Sequence, residues 1–472
     1  MKANLIYDAS SVRNDAGHAS SYKWLLLLLQ CLLSAMNQAL CFSYAPISRI
    51  ADTAWQHEVH SSSLITIFFL VYLPFAFLGS WILDLRGWRV GVLLGAFVQA
   101  VGAIFRAVSS NMDMAFPIAK VFLIIGQVLA AIGMPFMVNS PPVLSALWFP
   151  PHLRARVTSM GVNSNQLGIV AVYLAAPVLV AGPADLAKWD RLLAMSATAL
   201  FLLAFVCFRV PKYPPMIPSA SGAYDYRQWV TAFHHPGFSL TVFVFAVAEM
   251  AENVLAALLN RLASPQHGFA RTTQGAMGAA FILSSVLGGF LVGSCVDASG
   301  SHKAAIVVCS LVAGGLLLGF GYVVAAVDVT WHVSGSFALL VAFGFFLGPL
   351  HPIAVELGAE CAHPTSEATV AALQQLLGNA LSALLLPLLS LLQHWLEGNA
   401  AAALIDDDDE DDSSSSSDGP TVLGQWWQLL ATPVGVVSLL LLFAGIIFTQ
   451  YRGAWKRSQY AAVPPGRPHL GI

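Results

Sequence analysis

The sequence predicts an all-α integral membrane protein with twelve transmembrane helices in two pseudo-symmetric six-helix bundles. Three observations lead to this prediction. The 472 residues are 57% hydrophobic and only 10% charged, with a mean hydropathy of +0.71, whereas soluble domains carry about 25% charged residues. Long apolar windows recur along the whole chain, and features of its first half return in its second half at a constant spacing. Most of the surface must therefore face lipid.

The number of membrane crossings follows from the apolar windows. A helix needs about 20 mostly apolar residues to cross a bilayer core. Because lipid offers no hydrogen-bond partner to a bare backbone amide or carbonyl, each such segment has to be helical. Twelve windows, numbered here as spans 1 to 12, meet this requirement: 24–46, 62–84, 88–108, 115–147, 156–181, 190–210, 237–260, 272–295, 303–326, 333–357, 365–396 and 426–450.

The spans divide into an N-terminal bundle, 24–210, and a C-terminal bundle, 237–450. Between them, 211–236 is rich in proline and charged residues, which is typical of a linker. We expect this linker in the cytoplasm, together with two polar tails at 1–23 and 451–472.

The positions of Lys and Arg predict the orientation, since cytoplasmic loops are enriched in both. With both termini inside, 15 of the 22 Lys and Arg residues lie on the inner side, and 7, among them Arg106 and Arg261, lie in outer loops. The loop 398–424 then lies outside the cytoplasm. It contains the acidic and serine-rich run Asp406–Asp418, for which we expect disorder.

Composition and motifs exclude several functions. The net charge is −3 without a basic tract, so we expect no nucleic-acid partner. The six cysteines lie inside or at the ends of apolar runs, so we expect no disulfide framework. No nucleophile–base motif, P-loop, dinucleotide fingerprint or Cys/His zinc spacing occurs, so we expect no enzyme, cofactor or metal. We therefore expect a monomer that is surrounded by membrane lipid and acts on a small solute.

An internal repeat links the two halves. After span 2 stands the sequence Asp84-Leu85-Arg86-Gly87-Trp88-Arg89, and after span 8 stand Asp297, Gly300 and Lys303. The aspartates and glycines share one offset, since 297 − 84 and 300 − 87 both equal 213, as does 237 − 24 for the start of each half. Such repeats are common in transporters, with the substrate site between the repeats near mid-membrane.

Both loops resemble the major facilitator signature G-x-x-x-D-R-x-G-R-R, although Ser80 and Leu85 replace its first Gly and first Arg. The resemblance implies the major facilitator fold and a gate on the inner face. In such a gate the aspartates meet cationic groups and the glycines allow tight turns. The implied gate residues are Asp84, Arg86, Gly87, Arg89, Asp297, Gly300 and Lys303.

Several stretches of both halves are similar to the feline leukaemia virus subgroup C receptor family, including its disrupted-in-renal-carcinoma branch. They are Asn37 with Tyr44-Ala45-Pro46, Trp81-Ile82-Leu83-Asp84, Ser140-Pro141 with Leu147-Trp148-Phe149-Pro150, Asn165-Gln166-Leu167-Gly168, and Pro352-x3-Glu356-x3-Glu360. The resemblance implies transport of choline, ethanolamine, haem or a vitamin-like solute. It also implies the plasma membrane, or for the renal-carcinoma branch a lysosomal or other internal membrane.

In choline-handling members of that family, aromatic rings on helices one and seven and glutamines on helices five and eleven surround the quaternary ammonium. Gln166 occupies the helix-five position, and Asn379 the helix-eleven position by ungapped counting, with Gln375 as the alternative. Cys41 and Asn253 stand where the two rings are expected. The cation–π cage is therefore lost unless Phe42, Tyr44 or Phe245 replaces it. We include Asn37 and Tyr44 among the candidate substrate-binding residues.

Ionisable residues inside spans are the other candidates. Glu249 and Glu252 lie three residues apart on one face of span 7. A carboxylate at mid-bilayer costs about 2.5 kcal/mol or more, so it should line a cavity or have a partner. We expect them to bind a cationic group or a coupling proton; the alternative is solvation at the outer interface or pairing with Arg261. His351 in span 10 is a third candidate for proton coupling, with haem ligation or a simple interhelical hydrogen bond as alternatives.

Two further groups of residues lie near span ends. Glu356 and Glu360, at the inner end of span 10, are expected to form a gate with Arg154 or Arg156, or else to be solvated there. In the first outer loop, His57 and His60 flank Glu58 and are compatible with a metal or haem contact, or with an ordinary polar loop.

The sequence thus predicts a facilitator or proton-coupled carrier for a small organic solute, cationic or vitamin-like. A haem exporter and a non-transporting receptor on the same scaffold are the alternatives.

Overall fold

The computed structural model describes residues 9–110, 115–208, 226–263, 268–325, 331–363, 365, 367–409 and 429–453. The regular elements in these ranges are all helices. Eleven helical stretches among them are long and apolar enough to cross a membrane, and Pro433–Phe448 is a shorter apolar helix. The described part of the chain therefore supports an all-helical membrane protein.

The helices of the first half are α1 (Ala9–Phe42), α2 (Ser48–Ala54), α3 (Ser61–Arg86), α4 (Trp88–Ser109), α5 (Phe116–Val138), α6 (Ser140–Trp148), α7 (Pro151–Leu179) and α8 (Leu186–Cys207). Those that follow are α9 (Tyr226–Ala232), α10 (Phe238–Leu262), α11 (Arg271–Ser299), α12 (His302–Ala325), α13 (His332–Leu347), α14 (Leu350–Cys361), α15 (Glu367–Asp409) and α16 (Pro433–Phe448).

Three predicted spans are interrupted helices. In span 1, α1 is followed by a short 3₁₀ turn, Ala45–Ile47, and then by α2. Span 4 is divided at Asn139 into α5 and α6, and span 10 at Pro349 into α13 and α14. Proline accompanies each break, because its ring lacks the N–H donor that continues a helix. Buried helix breaks of this kind are typical of transporters.

Helical structure extends beyond several predicted boundaries. α1 begins at Ala9, inside the predicted tail, and α9 lies inside the predicted linker. α15 continues to Asp409, into the loop for which we expected disorder, because four consecutive alanines at 400–403 favour a helix. The rest of the acidic run, 410–418, lies outside the described residues.

The assignment of Arg106 and Arg261 to outer loops is wrong. Arg106 lies within α4 and Arg261 in the last turn of α10, and both side chains are buried. Arg106 pairs with Asp190, and Arg261 pairs with Asp52. The carboxylate partners, which are distant in sequence, make burial of the two guanidinium groups possible.

Each half has its own set of packed helices. In the first, α1 packs against α7, and α4 packs against both α5 and α8. In the second, α10 packs against α15, α11 against α13, and α12 against α16. The halves meet where α7 packs on α11 and where α3 packs on α15. α10 is the most buried of the eleven candidate spans in the described part of the chain, so its polar side chains face protein.

The repeated loops share a backbone feature. Gly87 follows α3 with a φ of 83°, and Gly300 follows α11 with a φ of 68°. Residues with a Cβ rarely adopt this region, so glycine ends both helices at corresponding points. The side chains of Asp84 and Asp297 lie outside the described part of the structure.

Candidate functional site

Two carboxylates lie at the centre of the most buried helix. α10 has 25 residues, and Glu249 is close to its midpoint, about 18 Å from either end at 1.5 Å per residue. Glu252 follows one turn later and is 3% exposed. This placement at mid-helix excludes the alternative in which the two glutamates are solvated at an interface or paired with Arg261. A carboxylate at this depth needs a polar partner or access to water.

His351 is the ionic partner of both carboxylates. Its Nε2 lies 3.3 Å from Oε2 of Glu249, and its Nδ1 lies 3.9 Å from Oε2 of Glu252. The imidazole is the second residue of α14, directly after the break at Pro349. The Phe245 ring packs against it in a T-shaped arrangement, with ring centroids 5.2 Å apart. The three proton-coupling candidates of the sequence analysis therefore form one cluster, in which Glu249 and His351 each remain 18% exposed.

Amide side chains complete the surroundings of Glu249. Nε2 of Gln375 donates to Oε1 of Glu249 at 3.0 Å, and Nδ2 of Asn253 approaches the same oxygen at 3.4 Å. Asn253 also donates to Oγ of Ser382 at 3.1 Å. A Cβ added to Gly378 would lie 2.9 Å from Cγ of Glu249, so glycine allows α15 to approach α10 this closely. The α10–α15 interface thus holds three of the predicted substrate-binding or coupling residues, Glu249, Asn253 and Gln375.

Several buried polar atoms near mid-membrane have no hydrogen-bond partner in the described part of the chain. They include Oε1 of Glu252, Nε2 of His351, Oε1 of Gln166, and both Nδ2 and Oδ1 of Asn379. A buried polar atom that lacks a partner costs about 1–3 kcal/mol, so such atoms are uncommon in native interiors. Asn379 lies one turn beyond Gln375 on α15. These atoms are available to a polar ligand.

The remaining substrate-binding candidates make contacts inside the first half. Asn37 donates from Nδ2 to Oε1 of Gln99 and to the carbonyl of Ala130, both at 3.1 Å, and so ties α1 to α4 and α5. Tyr44 donates to Oδ1 of Asp190 at 2.7 Å. Cys41 is buried among apolar neighbours. The described contacts of Asn37 and Tyr44 stabilise the helix packing of this half.

Three gate candidates, Arg89, Arg154 and Lys303, have described contacts within their own half. Nε of Arg154 donates to the carbonyl of Phe149 at 3.1 Å, and Arg89 donates to the carbonyl of Phe208. Nζ of Lys303 donates to the carbonyl of Tyr451 at 3.0 Å. Burial raises the pKa of the Tyr451 phenol, and the charge of nearby Glu360 raises this pKa further. Arg86 and Arg156 are exposed, and Glu356 is half-buried.

Sequence reasoning named His60 but missed the polar cluster between the halves to which it belongs. Asp52 pairs with Arg261, receives the N–H of Ser61 at 2.9 Å, and lies 3.0 Å from Nδ1 of His60. Asn260, the residue before Arg261 in α10, donates from Nδ2 to the carbonyl of Pro46 at 2.9 Å. Asp52 and Arg261 are 209 residues apart and carry no periodic signal. The one available signal was that Asp52 and Arg261 are charged residues beside apolar spans, where a charge needs a partner.

The fold and this site define a class: a multi-pass helical membrane transporter with polar residues at mid-membrane. The chain belongs to the Major Facilitator Superfamily, whose family model matches residues 26–387. Members of this superfamily are transporters and not enzymes, so the chain is a membrane transporter.

The resemblance to the feline leukaemia virus subgroup C receptor family is confirmed by curated relatives. The chain is 25% identical to solute carrier family 49 member A3 of Xenopus tropicalis, over 73% of this chain and 72% of that one. It is also 25% identical to choline/ethanolamine transporter flvcr2b of Danio rerio, over 74% and 73%, respectively.

Solved structures support the all-helical membrane fold. The D-xylose–proton symporter matches with a TM-score of 0.65 at 14% identity, covering 92% of this chain and 98% of that one. An inward-facing bacterial homologue of the human lysosomal transporter Spinster matches with a TM-score of 0.62 at 14% identity, covering 90% and 96%.

Proposed function

We propose that this protein carries a small organic cation across the membrane by alternating access. Twelve spans in two bundles, 24–210 and 237–450, would rock around the mid-membrane site. The observation that carries the proposal is the pair Glu249 and Glu252 on the most buried helix, held by one histidine and two amides. With His351 protonated and both glutamates ionised, the cluster has a net charge of −1 and attracts a monovalent cation.

The chemistry of the site favours a hydrogen-bonding ammonium group. Cys41 and Asn253 replace the two aromatic residues with which choline-handling relatives hold a quaternary ammonium, so cation–π attraction is reduced. Carboxylates and amide oxygens accept hydrogen bonds instead. A primary ammonium offers three N–H donors to such acceptors, as lysine does, whereas a trimethylammonium offers none. Ethanolamine, named with choline for the Danio rerio relative, fits this acceptor set better than choline does.

His351 gives the site a route to proton coupling. Its ring lies between two carboxylates, so an incoming ammonium would compete with the imidazolium for Glu249. The titratable groups of the described cluster are Glu249, Glu252 and His351; Gln375 and Asn253 are neutral. Entry of the solute would therefore favour release of the histidine proton. Since both ring nitrogens approach carboxylates, haem ligation through His351 is less favoured.

Uptake into proteoliposomes tests the proposal. Glu249→Gln is expected to lower the initial rate of ethanolamine uptake about tenfold or more, which corresponds to about 1.4 kcal/mol or more of lost binding. Glu252→Gln should have a similar effect, and choline should enter more slowly than ethanolamine. Glu58→Gln, on the exposed loop before α3, is the matched control. Wild-type rates in both α10 variants would refute the carboxylate site.

The same assay addresses coupling. Wild-type uptake should depend on the external pH, and His351→Asn, which keeps a polar side chain but cannot titrate, should flatten this dependence. An unchanged pH profile in His351→Asn would exclude the histidine as the proton carrier.

We further propose that the repeated loops at Gly87 and Gly300 form the inner gate and that both termini face the cytoplasm. The plasma membrane or a lysosomal membrane is the proposed location, and the protein is proposed to act as a monomer. Protease protection of tags at both termini, with imaging of the tagged protein, checks orientation and location.

A further inference from the structure

A second cluster of ligating side chains lies at the membrane face where α1 ends and α3 begins. It is distinct from the central site, because Arg261 at its edge lies twelve residues beyond Glu249 on α10, about 18 Å away. One ligand atom each of Asp52, His60 and His394 lies within 4.8 Å of the others. Nδ1 of His60 is 3.0 Å from Oδ2 of Asp52, and the rings of His60 and His394 are 4.6 Å apart between centroids.

We propose that Asp52, His60 and His394 bind a divalent transition-metal ion, for which Zn²⁺ is the best chemical match. Two imidazoles and one carboxylate are ligand types that Zn²⁺ prefers, and imidazole selects such metals over Mg²⁺ or Ca²⁺. Bonds of about 2.0–2.2 Å in a tetrahedron separate ligand atoms by roughly 3.3–3.5 Å. The three ligand atoms, all within 4.8 Å of one another, differ from those separations by at most about 1.5 Å.

The metal can reach this site from solution. Asp52 is buried, but His60 is 34% exposed and His394 is half-buried. Three protein ligands leave a fourth coordination position for water, as in three-ligand zinc sites.

Arg261 sets the strength of the site. Its guanidinium pairs with Oδ2 of Asp52, while Oδ1 accepts the N–H of Ser61. A positive charge beside the carboxylate repels a divalent cation, so the metal must compete with the arginine. Binding is therefore weaker than in a structural zinc site and is reversible, which suits a regulatory ion.

The origin of the ligands indicates what the metal does. Asp52 and His60 belong to the first half, at α2 and at the start of α3, whereas His394 belongs to α15 of the second half. A bound ion would join the halves at this face and oppose their separation. Zn²⁺ is therefore a proposed inhibitor of the transport cycle, acting from the side opposite the termini.

Metal binding is testable on the purified full-length protein without any substrate. Calorimetric titration with ZnCl₂ should show saturable binding, and Zn²⁺ should raise the midpoint of thermal unfolding, whereas MgCl₂ should do neither. His60→Gln and His394→Gln should each weaken Zn²⁺ affinity tenfold or more. The control is His57→Asn in the same loop: His57 has a φ of 58°, which asparagine tolerates.

Three results would overturn the proposal. They are the absence of saturable Zn²⁺ binding to the wild type, an equal effect of MgCl₂, and wild-type Zn²⁺ affinity in His394→Gln. The wild-type comparison of Zn²⁺ with Mg²⁺ remains decisive if a variant does not fold.

Hydrogen exchange tests the link between the halves. With Zn²⁺, the amides around His60 and those around His394 should both exchange more slowly in the wild type, and neither group should respond in His394→Gln. Slower exchange around His60 alone would place the metal in one half and contradict a metal-mediated link between the two halves.

Discussion

Arg106 and Asp190 show how single buried charges hold the first half together. Each side chain is 1% exposed, and Nη2 of Arg106 lies 3.6 Å from Oδ1 of Asp190. Arg106 also donates to the carbonyl of Leu40 at 2.7 Å and lies over the Tyr44 ring, with Cζ 4.4 Å from its centroid. The arginine thereby joins α4 to the end of α1, and Asp190 brings in α8. Neither charge is tolerable here without the other.

We predict that Arg106→Met lowers the free energy of unfolding by about 3–5 kcal/mol, because it leaves the Asp190 carboxylate buried and unpaired. Unfolding of the detergent-solubilised protein, followed by fluorescence, measures this loss.

The matched control for this prediction is Lys120→Met. It breaks the exposed pair between Lys120 and Glu58, in which Nζ and Oε2 are 3.0 Å apart. Such pairs contribute about 0–1 kcal/mol. Equal stability losses in the two variants would show that burial does not decide the strength of these pairs.

At the scale of the elements, helices approach closely where glycine leaves room. A Cβ added to Gly168 of α7 would lie 1.9 Å from the carbonyl oxygen of Ala35 in α1. Small residues drive such close packing in membranes, where burial of apolar surface gives little advantage over contact with lipid. Gly168 also ends the Asn-Gln-Leu-Gly stretch that resembles the receptor family, so the packing of α1 on α7 explains its glycine.

Gly168→Ala is predicted to lower the thermal midpoint of unfolding and the yield of folded protein, since overpacking costs about 1–3 kcal/mol even at less crowded positions. Gly315→Ala, in α12 with no atom within 4 Å of the added Cβ, is the control. It should be neutral or stabilise the helix by up to about 1 kcal/mol. If both alanines are tolerated equally, α1 and α7 do not depend on this close approach.

At the scale of the molecule, several polar contacts join the two halves at one membrane face. Beside the ion pair between Asp52 and Arg261, the hydroxyl of Tyr173 donates to the carbonyl of Ala256, linking α7 to α10. Ser62 and Ser390 link α3 to α15, with their Oγ atoms 2.7 Å apart. α3 begins at this face, and α7 and α10 end there, so these described contacts hold the face closed. Alternating access requires each contact to open in the cycle.

The double variant Ser62→Cys/Ser390→Cys is predicted to form a disulfide on oxidation, because the two side-chain oxygens are already close. The oxidised protein should lose solute uptake, and reduction should restore it. The two single cysteine variants test whether an introduced cysteine instead reacts with one of the six native cysteines. Full uptake by a quantitatively cross-linked protein would contradict the rocking of the two halves.

The membrane class, the positions of the spans and the pairing of features at an offset of 213 are properties of the sequence alone, because hydropathy and turn glycines are local. Glu249, Glu252 and His351 were also recognisable there, since ionisable groups inside apolar windows are costly. Tertiary structure decided their partners. It brought His351 between the two glutamates, placed Asn37 and Tyr44 in helix packing, and buried Arg106 against a carboxylate 84 residues away. Coulombic and hydrogen-bond energies depend on distances between helices, and no pattern along one helix contains those distances.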